Sequence, residues 1–165
     1  MTSHPDLTGL LIGLRRAGVD FILVGGMAAV SQGVPTTTFD IDIVPAADPE
    51  NLRRLLVFLE SVHARFRGRP RESTLVPTLA DLEAGGHCLL ATDHGLLDVL
   101  GHIGQGLDFA GLLPDTIEIE LGGERLRVLS LARLVALRRH SPRTKDRHSL
   151  PLWEETLRRN KKRSD

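Results

Sequence analysis

The sequence lacks most features that would indicate a secreted, membrane-bound or disulfide-stabilised protein. Its 165 residues include one cysteine, Cys88, so an intramolecular disulfide is impossible, which fits a reducing cytoplasm. No stretch stays apolar for about 18 residues, and the N-terminus has no basic segment followed by an apolar run. We therefore expect no membrane span, no signal peptide and a cytoplasmic location.

Net charge and aromatic residues are also scarce. The formal net charge is zero, which gives no overall argument for a nucleic-acid or membrane partner. With one Trp and no Tyr, the core must be built mainly from Leu, Val, Ile and Ala. Basic residues are concentrated at the end of the chain, where residues 138–165 hold ten Lys or Arg against four acids. This excess indicates either an anionic partner or a solvated terminal helix.

The length suits one domain over residues 1–165, with a basic C-terminal helix and tail from about residue 141. Apolar spacing and capping signals predict helices that include residues 7–14, 27–32, 52–59, 78–84, 107–112, 131–137 and 153–160. Strands are expected at 21–24 and 39–44, with hairpins at 87–100 and 117–128. Because these elements show no regular βαβ rhythm, they predict an α+β two-layer fold: a small mixed β-sheet with helices packed on it.

Two carboxylates interrupt the apolar strand expected at residues 39–44. Side chains on a strand alternate between faces, so Asp40 and Asp42 share one face, with Cα atoms about 6–7 Å apart. Phe39, Ile41 and Ile43 should then point into the core. Two like charges on a partly buried strand repel each other, and a cation between them removes that penalty.

A third carboxylate, Asp98, has a similar apolar setting between Leu97 and Val99. If the strand of Asp98 lies beside the strand of Asp40 and Asp42, the three carboxylates converge. Two divalent ions roughly 4 Å apart need about this number of protein ligands. The alternative is an edge strand whose acids are solvated or paired with arginines.

Other segments carry weaker signals. Gly25-Gly26 ends a strand and opens a helix ahead of the acids, an arrangement that suits phosphate binding but also occurs as a plain turn. Alternating arginines in the segment 63–73 would share one face of an edge strand, where they would steer a nucleic-acid acceptor, or would lie in a solvated loop. They are Arg65, Arg67, Arg69 and Arg71. The cluster of His87, Cys88, His94 and His102 lacks zinc-ligand spacing.

The order of strand, Gly-Gly, helix, Gly, threonine-rich connector and paired acids resembles the nucleotidyltransferases of the DNA polymerase β superfamily. The nearest likeness is to the small bacterial branch of minimal nucleotidyltransferases and abortive-infection toxins. The likeness covers roughly residues 21–146, and its most specific part is 25–42. Thr36 departs from the pattern, since many relatives carry Arg there. The matching residues are Gly25, Gly26, Ala28, Gly33, the Pro-Thr-Thr-Thr run 35–38, and Asp40-Ile41-Asp42-Ile43.

The resemblance implies the nucleotidyltransferase fold and transfer of a nucleoside monophosphate from an NTP to an acceptor hydroxyl, with release of pyrophosphate and with Mg²⁺ or Mn²⁺ as cofactor. Asp40 and Asp42 would hold both metal ions, and Asp98 would bind the catalytic ion and help to deprotonate the acceptor. The nucleotide-binding residues would be Gly25, Gly26, Thr38 and Lys145. For Lys145, a surface ion pair with Asp146 is the alternative.

The sequence leaves the acceptor open among tRNA, a protein side chain and a small molecule. The branch resemblance suggests the toxin half of a toxin–antitoxin pair, with a cognate antitoxin as partner. The alternative of another class is a catalytically silent member that binds a nucleotide or a protein partner, for which the Thr36 departure leaves room.

Overall fold

The computed structural model describes residues 4–68 and 75–165. In this part of the chain seven strands form one mixed sheet with helices packed on it, which confirms the predicted fold class. The sheet order is β3-β4-β5-β2-β1-β7-β6. The strands are β1 (Phe21–Val24), β2 (Asp40–Pro45), β3 (Arg65–Phe66), β4 (His87–Thr92), β5 (Gly95–Leu100), β6 (Thr116–Leu121) and β7 (Glu124–Leu129).

The strand β2 lies at the middle of the sheet, parallel to β5 and antiparallel to β1. On the other side, β1 is parallel to β7. Both predicted hairpins are confirmed, since β4 pairs with β5 and β6 pairs with β7, each in an antiparallel register. The segment expected as a loop or an edge strand contributes β3 at the sheet edge beside β4.

Side-chain caps mark the start of several helices. Asp6 accepts a hydrogen bond from the amide of Gly9, and Asp48 accepts one from the amide of Asn51. Ser130 caps a later helix in the same way. The helices are α1 (Leu7–Arg16), α2 (Gly25–Ser31), α3 (Pro49–Ser61), α4 (Leu79–Glu83), α5 (Phe109–Leu112), α6 (Leu131–Arg139) and α7 (Thr144–Ser164). None of the described helices has the length and apolar character needed to cross a membrane.

A buried asparagine fixes the ends of β1 and β2 that lie away from the paired acids. The Asn51 side chain is fully buried, accepts a hydrogen bond from the amide of Asp20, and donates to the carbonyls of Asp20 and Ala46. All three distances lie between 2.8 and 2.9 Å. Because its polar atoms are satisfied, Asn51 holds the chain before β1 and after β2 in a defined register.

Two predictions differ from the structure. Phe39 was expected in the core, but β2 begins at Asp40 and the Phe39 side chain is 71% exposed. The last helix was expected at 153–160, yet α7 runs from Thr144 to Ser164 with Pro151 inside it. A proline normally interrupts a helix because it lacks an N–H donor, so tertiary contacts must hold α7 together across this position.

Those contacts centre on Arg138 at the end of α6. Its guanidinium lies 3.6 Å above the ring of Trp153 and pairs with Asp146 at 3.1 Å. Ser149 accepts a further hydrogen bond from Arg138, and Ser141 donates to Asp146. Both members of the ion pair have side chains only 16% exposed. The arginine therefore contacts α7 on both sides of Pro151, through stacking on Trp153 and a hydrogen-bonded ion pair with Asp146.

We expect the substitution Arg138→Ala to lower the free energy of unfolding by about 2–4 kcal/mol, because it removes the stacking and leaves Asp146 buried without its partner. Arg139→Ala is the matched control, since Arg139 makes a half-exposed pair with Glu154 at 3.4 Å and should lose less than about 1 kcal/mol. Urea denaturation of both variants checks this, and equal losses would show that Arg138 does not hold α7.

Candidate functional site: three aspartates on one sheet face

The parallel register of β2 and β5 brings the three predicted carboxylates together. Asp42 lies directly opposite Asp98, and Asp40 lies two residues along the same face of β2. One carboxylate oxygen from each of the three lies within 4.8 Å of the others. The expected convergence is confirmed. The alternative of an edge strand is wrong, because β2 is the middle strand of the sheet.

The cluster is partly removed from water, and two of its oxygens lack hydrogen bonds. Asp98 is 6% exposed, while Asp40 and Asp42 are partly exposed. The buried Oδ1 atoms of Asp42 and Asp98 have no hydrogen-bond partner. Burial is the main cause that raises the pKa of Asp42 to about 7, followed by repulsion from Asp40 and Asp98. The site therefore favours a cation or a proton at its centre.

Gly25 makes room for this cluster at the end of β1. Its φ is +70°, and a Cβ atom there would lie 2.3 Å from Oδ2 of Asp42. Any side chain would therefore collide with the carboxylate as well as strain the backbone. Gly26 follows, where a Cβ atom would lie 3.2 Å from Oγ1 of Thr38.

Thr38 contacts the acid cluster directly. Its hydroxyl lies 3.3 Å from Oδ1 of Asp40 and 3.2 Å from the carbonyl oxygen of the same residue, and it donates to these acceptors. Of the four residues implied in nucleotide binding, Gly25 and Thr38 therefore lie against the acid pair, and Gly26 lies against Thr38.

Arg67 is a site residue whose position the sequence did not reveal. Its Nη2 donates to Oδ2 of Asp98 at 3.0 Å, and its Nη1 lies 2.6 Å from Oδ1 without the alignment of a hydrogen bond. Nη1 also donates to the carbonyl of Leu90 at 3.3 Å. The alternative of an acid paired with an arginine thus holds for Asp98. The alternating arginines in the segment 63–73 were the available sequence signal, but their spacing did not identify Asp98 as the partner of Arg67.

Other candidates lie apart from the acids or outside the described residues. Lys145 is exposed in the first turn of α7, and its suggested pairing with Asp146 is wrong, because Asp146 pairs with Arg138. Arg69 and Arg71 lie outside the described residues. Within the ranges 4–68 and 75–165, the three aspartates form the one group of three or more potential metal ligands.

The raised pKa of Asp42 predicts how the metal-free protein responds to pH. Because the native state holds this proton more tightly than the unfolded state, stability should fall as pH rises from about 4 to 7 and stay low above 7. In EDTA at pH 8 we expect Asp42→Asn to melt about 4–8 °C higher than the unsubstituted protein, an effect of about 2 kcal/mol. The difference should shrink at pH 5. Glu60→Gln, at an exposed site on α3, is the control, and a destabilised Asp42→Asn would contradict the prediction.

Gly25→Ala tests the close approach between β1 and Asp42. Gly85 is a matched control, since its φ of +71° is nearly the same but open space surrounds the position of a Cβ atom. Both substitutions cost about 1–2 kcal/mol of backbone strain, and we expect Gly25→Ala to lose at least about 1 kcal/mol more through the collision. Chemical denaturation of the two variants measures the difference, and identical losses would exclude the close approach.

Comparison with protein-family models and with curated proteins gave no match. Three solved structures share the fold. The lincosamide antibiotic adenylyltransferase LnuA, bound to lincomycin, is 14% identical with a TM-score of 0.61, covering 93% of this chain and 99% of LnuA. The antibiotic-resistance factor ANT(2'')-Ia is 16% identical with a TM-score of 0.55, and the alignment covers 91% of this chain and 83% of ANT(2'')-Ia. The putative nucleotidyltransferase TM1012 from Thermotoga maritima is 20% identical with a TM-score of 0.51, and the alignment covers 92% of this chain and 96% of TM1012. The chain therefore has the nucleotidyltransferase fold, as the sequence resemblance implied.

Proposed function

We propose that this protein is a metal-dependent nucleotidyltransferase that moves a nucleoside monophosphate from an NTP to an acceptor hydroxyl and releases pyrophosphate. The observation that carries the proposal is the convergence of Asp40, Asp42 and Asp98 within 4.8 Å, with two buried oxygens lacking hydrogen bonds. The fold shared with nucleotidyltransferases supports the reaction class.

The three carboxylates fit a hard divalent cation, because Mg²⁺ and Mn²⁺ prefer oxygen ligands and usually keep positions for water and substrate phosphates. Oδ1 of Asp42, which is buried without a hydrogen-bond partner, would be a ligand of such a cation, whereas Oδ1 of Asp98 would first have to lose its ion-pair contact with Arg67. We assign Asp40 and Asp42 to both ions of a two-metal site and Asp98 to the catalytic ion. When bound, the metal ions neutralise the charge that develops on the transferring phosphoryl group.

The remaining residues bind and orient the substrates. Gly25 and Gly26 lack side chains where the triphosphate would approach, and the Thr38 hydroxyl, which donates to Asp40 in the structure, would turn to donate to a phosphate oxygen. Asp98 accepts the proton of the acceptor hydroxyl while the oxygen of that hydroxyl forms a bond to the α-phosphorus of the NTP. The bond from that phosphorus to the bridging oxygen breaks, and pyrophosphate leaves. Lys145 would serve as a more distant phosphate contact, which requires movement at the start of α7.

The acceptor is best assigned to the class of small hydroxylated molecules. The first two neighbours are named as an antibiotic adenylyltransferase and an antibiotic-resistance factor, and they align over more than 90% of this chain. tRNA and protein acceptors belong with the toxin–antitoxin alternative, in which a cognate antitoxin would cover the site. We therefore also propose a cytoplasmic location, where NTPs are available for transfer to either class of acceptor.

One observation favours a second candidate, a catalytically silent member that binds a nucleotide or a partner protein. Arg67 already neutralises Asp98, and a permanent ion pair there would remove one ligand from the metal site. The two candidate functions differ in whether Asp98 can bind a cation. An experiment can therefore distinguish them by testing whether Arg67 prevents cation binding.

We expect α-labelled NTP, incubated with Mg²⁺ or Mn²⁺, the protein and a mixture of hydroxylated antibiotics and cell extract, to give a labelled product. Asp42→Asn and Asp98→Asn should each reduce labelling at least about 100-fold, because each removes a ligand of the site. The Glu60→Gln control should label normally. Mass analysis of the product distinguishes a small molecule, RNA and protein as the acceptor.

The same samples provide a readout that does not depend on knowing the acceptor. A ligand that binds only the native state raises the melting temperature, so Mn²⁺ with a non-hydrolysable NTP analogue should stabilise the protein. Nucleotide stabilisation without labelling under any condition would favour the silent member, and an unchanged melt at millimolar ligand would contradict the metal site itself.

A further inference from the structure

We propose that Arg67 is a built-in counter-ion that competes with the metal for Asp98, so that a divalent ion binds strongly only together with a nucleotide. In the metal-free protein the guanidinium neutralises Asp98. On formation of the loaded site it leaves that carboxylate and binds a phosphate of the nucleotide. This inference rests on the proposed function and concerns how the same site is filled.

The sheet register places Arg67 and the acids in one row across the same face. The amide of Arg67 donates to the carbonyl of Leu89, whose register partner on β5 is Asp98. Asp98 in turn lies opposite Asp42 on β2. The Arg67 side chain therefore crosses β4 to reach the acid cluster, and Val24 on β1 pairs with Asp42 at the other end of the row.

The contact has the character of a functional ion pair. Both Nη atoms of Arg67 lie within 3.0 Å of the two Asp98 oxygens, and the side chains are 29% and 9% exposed. Such a pair offsets the cost of keeping Asp98 charged in a site that already holds two other carboxylates. Its members are 31 residues apart, with Asp98 on β5 and Arg67 directly after edge strand β3, so the pair is not needed to form either strand.

A metal ion and Arg67 cannot both have Asp98 as their main partner. The Oδ1 atom that lacks a hydrogen bond is also the one 2.6 Å from Nη1. A divalent ion on this oxygen would place two positive charges within a few ångströms, where repulsion amounts to several kcal/mol at the effective dielectric of a protein. Metal binding therefore requires the guanidinium to move away from Asp98.

A nucleotide supplies the partner that the displaced guanidinium needs. The planar fork of arginine matches phosphate oxygens as well as carboxylate oxygens. The Arg67 side chain is almost one-third exposed at the sheet edge, so it can rotate without unpacking the core. A metal ion that binds alone must displace Arg67 from Asp98 and leaves the guanidinium without an anionic partner. A metal ion that binds with a triphosphate supplies a phosphate as that partner, so the binding of metal ion and nucleotide becomes coupled.

Calorimetric titration with Mn²⁺ alone tests the first half of the proposal. We expect Arg67→Gln to bind Mn²⁺ at least about tenfold more tightly than the unsubstituted protein, because the competing cation is gone. The matched control is Arg65→Gln: Arg65 lies on the same face two residues earlier but contacts the carbonyl of His63, and its removal should change affinity less than about twofold. Equal or weaker Mn²⁺ binding by Arg67→Gln would overturn the proposal.

Titration with a non-hydrolysable NTP analogue in saturating Mn²⁺ tests the second half. We expect Arg67→Gln to bind the analogue about five- to tenfold more weakly, and Arg67→Lys, which keeps a charge but loses the fork, to lie between the two. Unchanged analogue affinity would overturn the role in phosphate binding. Melting in EDTA and in Mn²⁺ shows that each variant is folded, and Mn²⁺ should raise the melting temperature of Arg67→Gln more than that of the unsubstituted protein.

The outcomes separate this inference from the function on which it rests. If neither the unsubstituted protein nor Arg67→Gln binds Mn²⁺ with or without the analogue, the metal site and the proposed function both fail. If the unsubstituted protein binds Mn²⁺ alone as tightly as Arg67→Gln does, only the competition by Arg67 fails.

Discussion

The pairing of Asp42 with Asp98 across two parallel strands is the constraint on which the rest of the site depends. Like charges directly opposite each other on a sheet are destabilising, and Asp40 adds a third charge on the same face. The fold tolerates this because the other face of the same strands is fully apolar and buried. The residues concerned are Ile41, Ile43, Leu97 and Val99. Burial of these four side chains stabilises the fold by several kcal/mol, which outweighs the repulsion between Asp42 and Asp98. The same burial fixes the register of β2 and β5 that brings the two carboxylates together.

Two residues hold the backbone around the acids in place despite this repulsion. Asn51 fixes the far ends of β1 and β2, which holds the register of the strand that carries Asp40 and Asp42. Gly25 allows the backbone to pass beside Asp42 where any side chain would collide with the carboxylate. Burial, followed by the charges of Asp40 and Asp98, raises the pKa of Asp42 to about 7, so an ionised carboxylate is strained at this position. Strain kept at a polar site of this kind is typical of functional positions.

Sequence reasoning identified the site where local patterns carried the information. The alternation of acids with Ile41 and Ile43 defined one face of a strand, and the apolar residues around Asp98 marked a second strand of the same kind. Phe39 was assigned to the core because periodicity cannot show that a strand begins one residue later. The length of α7 was missed because Pro151 is a strong local stop signal, whereas the contacts of Arg138 that oppose it come from another helix.

Arg67 could not be assigned for a related reason. Its contact with Asp98 depends on β3 pairing with β4 and on β4 pairing with β5, two registers that no local pattern specifies. An alternating row of arginines indicates a charged face but does not indicate which acid that face meets. The contact between Arg67 and the acid cluster therefore follows from the order of the strands in the sheet and not from any local sequence pattern.

The charge balance of the assembled cluster distinguishes a metal site from a structural ion pair. Three carboxylates meet one guanidinium, and Asp40 and Asp42 have no ion pair among the residues that the structure describes. With all three acids ionised, the cluster has two negative charges in excess, and the protonation of Asp42 near pH 7 offsets only part of that excess. A purely structural ion pair, which joins the end of β3 to β5 across β4, would need one acid and one arginine. The two further acids, together with a glycine whose missing side chain leaves room for one of them, suit a site that a divalent cation completes.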